Sequence, residues 1–174
     1  MTTQLRCAAS ASGVYPPGLP DAGRVQAVWC QDDGRSGPGG SLQPRGRVLV
    51  VEDEYFVALA AEDALSSAGF EVVGIAATAE EALELAKGAR PDLVLMDIRL
   101  AGARDGISAA AEIRALLGIP SLFATAHSDP ATRARGNGAA SPLGWLTKPY
   151  TPREVAVAVA EAIARVRQGG AGGA

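Results

Sequence analysis

Five polar residues stand immediately after apolar runs in this 174-residue chain. Glu52 and Asp53 follow VLVV, Asp97 follows LVLM, Thr125 follows SLFA and Lys148 follows GWLT. Three carboxylates gathered at one place repel one another unless a cation neutralises them. Carboxylates with one ordinary lysine, and no cysteine or histidine among them, suit a hard cation such as Mg²⁺, which keeps some waters and takes phosphate oxygens as further ligands. The chemistry such a set favours is phosphoryl transfer to a carboxylate. That reaction depends on placing positive charge and hydrogen-bond donors against the moving phosphoryl group. Lys148 supplies a compact cation and Thr125 a hydroxyl.

The set works only if the chain gathers it. From Arg47 onward, short β-branched or apolar runs alternate with helical patterns. VLVV (48–51), EVVGIA (71–76), PDLVLMD (91–97), PSLFA (120–124) and LGWLT (143–147) read as strands. Between them the spacing predicts helices. The first carries Phe56, Leu59, Ala60, Ala64 and Leu65 and stops at Gly69. A capping box at Thr78–Glu81 opens the second, through about Lys87. The third covers 107–117. Asp129-Pro130 caps the fourth, with Gly136 and Gly138 expected to stop it early. A capping box at Thr151–Glu154 opens the fifth, with Val155, Val159, Ile163 and Val166 on one face. Five strands alternating with five helices predict an α/β, doubly wound, five-stranded parallel sheet of flavodoxin-like form. In the strand order 2-1-3-4-5 the first and third strands are neighbours at the switch point, where ligands bind beyond the strands' carboxyl ends. All five polar residues then share one rim.

Around this domain, expected at 47–168, lie a Gly- and Pro-rich stretch, 1–46, expected to be mostly irregular, and a tail, 169–174, ending GGAGGA. Cys7 and Cys30 fall outside the domain, and nothing requires them to pair. The net charge of −3 argues against a large nucleic-acid surface. No apolar run reaches bilayer length, and the start does not read as a signal peptide. A cytoplasmic location without membrane insertion is expected.

The motifs ED after the first strand, MD ending the third, AT ending the fourth and KPY after the fifth resemble, in this order, the receiver domains of response regulators in bacterial two-component systems, of the single-domain, CheY-like kind. Each motif alone is weak; together, from about Gly46 to Gln168, they are specific. The resemblance implies that Asp97 accepts the phosphoryl group and that Asp53 binds Mg²⁺ directly, with Glu52 acting through a metal-bound water. The backbone carbonyl of Arg99 completes the metal site, and Thr125 and Lys148 bind phosphoryl oxygens. Thr125 and Trp145 form the switch, Arg99 and His127 occupy positions that tune hydrolysis, and the peptide before Pro149 is expected to be cis. A sensor histidine kinase or phosphotransfer protein would be the donor. A downstream protein would bind the face of the fourth helix, fifth strand and fifth helix. With no output domain expected, direct nucleic-acid contact is not. The loop IRLAGARDG departs from the family, lacking Pro and being one residue longer than the common spacing. Two other readings carry less. A degenerate receiver would dock proteins constitutively. A Mg²⁺-dependent phosphohydrolase would want an acid two residues after Asp97, where Arg99 stands.

Overall fold

The computed structural model describes residues 44–126 and 129–170, which belong to the compact unit Gly40–Ala174. The expected irregular extension lies almost wholly outside the described residues, as do Cys7, Cys30 and His127. Elements alternate throughout: β1 (Arg47–Val51), α1 (Tyr55–Ser67), β2 (Glu71–Ala76), α2 (Ala79–Ala89), β3 (Leu93–Asp97), α3 (Gly106–Leu117), β4 (Ser121–Thr125), α4 (Pro130–Ala140), β5 (Gly144–Thr147) and α5 (Pro152–Gly170). The strands pair in parallel in the order β2-β1-β3-β4-β5, as expected from the sequence.

Strand alternation splits the core into two layers. Leu49, Val51, Val94, Met96 and Phe123 face the alanines and isoleucines of α2 and α3. Val48, Val50, Leu93, Leu95 and Leu122 face α1 and α5, where Val155, Val159 and Ile163 form the predicted stripe. The box at Thr151 closes fully, while at Thr78 the Glu81 carboxylate reaches one residue further back and accepts from the Ala77 N–H at 2.9 Å. Thr78 accepts from the Glu81 N–H at 3.2 Å, and Thr151 and Glu154 satisfy each other's backbone N–H groups at 3.2 and 2.7 Å.

The strands end in register. Val51 lies opposite Met96, Asp97 opposite Ala124, and Thr125 opposite Thr147, so the residues that follow emerge along one rim. The long β3–α3 loop gains its own support there. Ala101 bridges to Thr78 and donates its N–H to the Ala77 carbonyl at 3.2 Å, which pairs the loop with the β2–α2 turn.

Two local expectations are corrected. In α1 the buried residues are Ala58, Ala61, Ala64 and Leu65, while Phe56 is 79% exposed and Leu59 and Ala60 also face outward. The first two turns are apolar all round, and the outward face is marked only further along, where Glu62, Asp63, Ser66 and Ser67 fall on the same side as Phe56 and Leu59. Alanines win the sheet side because they let the helix approach closely. The second correction is α4, which runs through Gly136 and Gly138 to Ala140. Gly136 is buried beneath Trp145: a Cβ there would lie 2.7 Å from Cη2 and 2.9 Å from Cζ2 of that ring. Around Gly138 nothing lies within 4 Å of an added Cβ. Gly138→Ala should therefore raise stability by up to about 1 kcal/mol, the helix-propensity gain. Gly136→Ala should lower it by about 1 kcal/mol or more, through overpacking. Paired urea titrations check this, and equal signs would contradict it.

One polar atom is stranded in the core. Ser121 is 2% exposed and its hydroxyl finds no partner among the described residues. An unsatisfied buried hydroxyl costs about 1–3 kcal/mol. Ser121→Ala should accordingly raise the unfolding free energy by about 1 kcal/mol in thermal or urea denaturation.

Candidate functional site

Glu52, Asp97, Thr125 and Lys148 are each placed by the end of a strand, and such positions are held more firmly than loop positions. Glu52 continues β1 and donates its N–H to the Ala76 carbonyl at 2.8 Å. Asp97 is the last residue of β3, and its Oδ1 accepts from the N–H groups of Ile98 at 2.6 Å and Arg99 at 3.3 Å. Lys148 follows β5, tied back by its N–H to the Thr125 carbonyl at 2.9 Å, and the Lys148–Pro149 peptide is cis, as expected.

Side chains from three strand ends converge. Lys148 Nζ donates to Asp97 Oδ2 at 2.6 Å and also to Glu52 Oε2. Glu52 is 5% and Asp97 8% exposed, whereas Asp53 stands exposed at the mouth. Carboxylate oxygens of Glu52, Asp53 and Asp97 lie within 4.8 Å of one another. Burial pushes the Glu52 carboxyl up from its ordinary value, and the Asp97 charge adds to this, against the pull of Lys148. Burial pulls the Lys148 ammonium down, but its bonds to Asp97 and Glu52 outweigh that and hold it above the ordinary lysine value. One ammonium therefore faces three acids. The imbalance, with only oxygen donors, fits a small divalent cation.

Thr125 is buried at the end of β4, 3% exposed. Arg99 is exposed on the β3–α3 loop. Trp145 in β5 is half-buried, its ring 4.8 Å from that of Phe123 and its Nε1 donating to Asn137 Oδ1 at 3.0 Å. It lies within β5 rather than past its end and packs toward Phe123 and α4, so it does not join the acids. Two contributors escaped sequence reasoning. Asn137 carried no signal, because its partner is eight residues on and in another element. Tyr150, which entered only as part of KPY, is half-buried beside Lys148 and lines a groove with Phe56, Val57, Ala60 and Pro149.

The cation should matter for stability as well as chemistry. Lys148→Met leaves two buried carboxylates facing each other without a counter-charge. Removing one partner of a buried ion pair costs about 3–5 kcal/mol, and the open mouth favours the lower end. We expect a loss of about 3 kcal/mol in urea unfolding with a chelator present, and partial recovery in millimolar Mg²⁺. A variant as stable as wild type in chelator would contradict this.

Fold and rim together define a doubly wound, flavodoxin-like domain with an acidic, cation-type centre at the carboxyl ends of its strands. The model of the response regulator receiver domain family matches residues 48–160, and the chain belongs to that family. Transcriptional regulatory protein PdtaR of Mycobacterium tuberculosis is 39% identical over 124 residues, covering 70% of this chain and 58% of that protein. The phyllosphere-induced regulator PhyR of Methylorubrum extorquens is 30% identical over 117 residues, covering 67% and 43%. The match thus spans about half the length of these curated relatives. Among solved structures, the receiver domain of a modulated diguanylate cyclase from Desulfovibrio desulfuricans superposes with a TM-score of 0.66 at 34% identity, covering 71% of this chain and 98% of that one. The receiver domain of response regulator NarL from M. tuberculosis gives 0.65 at 33%, covering 70% and 98%. No helix among the described residues is long and apolar enough to cross a membrane.

Proposed function

We propose that the chain is a phosphorylatable switch in which Asp97 is the acceptor. The observation that carries this is one ammonium, Lys148 Nζ, shared between Asp97 and Glu52 beside Asp53. Asp97 presents a carboxylate oxygen to the phosphorus of a phosphohistidine, borne by a sensor kinase or phosphotransfer protein. The P–N bond breaks, the electron pair leaves with the imidazole, and an aspartyl phosphate forms. Lys148 is free to follow the charge from the carboxylate to a phosphoryl oxygen, and Thr125 offers its hydroxyl to another. Glu52, Asp53, Asp97 and the Arg99 carbonyl would hold Mg²⁺, which supplies positive charge to the phosphoryl oxygens when bound.

The phosphoryl group favours one of two arrangements of the β4–α4 region, which shifts population and changes what binds the α4, β5 and α5 face. In this reading Trp145 belongs to the switch, Arg99 and His127 set how fast the phosphoryl group is lost, and the receiver spans 47–168. The protein acts in the cytoplasm through protein partners rather than nucleic acid. The test is Mg²⁺-dependent uptake of a phosphoryl group from acetyl phosphate, followed by intact mass. No uptake in the presence of Mg²⁺ would favour a constitutive docking module instead.

A further inference from the structure

Besides the buried Ala140, α4 makes side-chain contacts at two places among the described residues, and only one of them involves the switch aromatic. On one face, Arg133 lies 5.4 Å over the Trp145 ring, Gly136 packs against its edge and Asn137 accepts from its indole N–H at 3.0 Å. Arg135 points elsewhere, as a residue two positions from Asn137 must on a helix. Its guanidinium donates to Asp105 Oδ2, thirty residues earlier in the chain. Asp105 is no loose surface acid. Its other oxygen caps α3 by accepting from the Ser108 N–H at 2.9 Å. The next residue, Gly106, donates to the Ile98 carbonyl at 2.9 Å and sits so close to Asp97 that a Cβ would fall 1.8 Å from its carbonyl oxygen. The Asp105 end of this pair is therefore fixed to the strand that carries the acceptor, and its other end is fixed to α4.

We infer that Arg135 and Asp105 form an ionic tether that holds α4 in its observed position over Trp145 and sets the resting population of the switch. The inference deepens the proposed function, because α4 is the element that reading requires to move. The tether is separate from Thr125 and Trp145. Any displacement of α4 away from α3 must break it, while α3 cannot follow without tearing Gly106 from β3. The pair is partly exposed, 56% at Arg135 and 30% at Asp105, so its weight is that of a surface ion pair. That weight suits a bias rather than a lock.

Trp145 reports the result directly, since its indole N–H is bonded to Asn137 of α4. With Trp29 replaced by Phe, Trp145 is the sole tryptophan. Solvent exchange of its indole proton is measured by NMR in Arg135→Gln, Asp105→Asn and the double variant, without phosphodonor. Asparagine caps a helix as well as aspartate, so α3 keeps its start. Each single change should speed exchange roughly two- to fivefold, the effect of losing one such pair. The double variant should match the singles, because the two residues act as one unit. High salt should speed the parent but not the variants. Exchange unchanged in the single variants, or multiplied in the double, would overturn the tether. Labelling of Asp97 is scored separately. Faster exchange without labelling would sink the acceptor reading alone, and labelling with unchanged exchange would sink the tether alone.

Discussion

Asp97→Asn should fold normally and take up no phosphoryl group from acetyl phosphate, while wild type gains one in Mg²⁺ and none in chelator. Asparagine matches aspartate in shape but has no second carboxylate oxygen to form the acyl phosphate. Its carbonyl can serve either the Ile98 and Arg99 N–H groups or Lys148, but not both as Asp97 does. Against that lost bond, removing one negative charge relieves Glu52, which is pushed up partly by Asp97. The two effects oppose, so stability should stay within about 1 kcal/mol of wild type. Intact mass after acetyl phosphate treatment reads uptake, and urea unfolding reads the fold. A variant that still gains the phosphoryl mass would remove Asp97 from the role assigned to it.

The largest structural effect should come from Gly106→Ala. The added carbon would lie 1.8 Å from the Asp97 carbonyl oxygen, 2.8 Å from its carbonyl carbon and 3.1 Å from the Ile98 Cα. Every one of those atoms is backbone, so no rotamer change makes room. Either α3 shifts away from the sheet, breaking the Gly106 to Ile98 hydrogen bond, or the end of β3 moves with the acceptor on it. A loss of about 4 kcal/mol or more is expected, at the severe end for single substitutions. Domains of this size hold only about 5–15 kcal/mol in total. Denaturant midpoints compared at equal slope measure it, and a shift worth less than about 1 kcal/mol would show that the close approach is not a constraint.

The sheet and its rim were legible because each rests on a local pattern. Runs such as VLVV and LVLM announce strands buried on both faces, and acids straight after them have little reason to be there except a shared cation. Short connections then force a parallel sheet, and the rim follows. What stayed hidden depended on partners distant in sequence. The apolar first two turns of α1 do not themselves show which side meets the sheet; only Glu62, Asp63, Ser66 and Ser67, in its second half, mark the outward face. The length of α4 is decided by Trp145, which fills the space that glycine at 136 leaves empty. Asp105 was visible only as one residue of the loop IRLAGARDG, and its bond to Arg135 exists only once α3 and α4 lie side by side.

The fit between Trp145 and Gly136 ties two positions into one inherited choice. A chain with a smaller ring on β5 loses the reason for a bare backbone on α4, and a chain with any side chain at 136 has nowhere to seat an indole. Related proteins should therefore divide into those that keep the large ring with the bare position and those that have exchanged both, with the mixed combinations scarce.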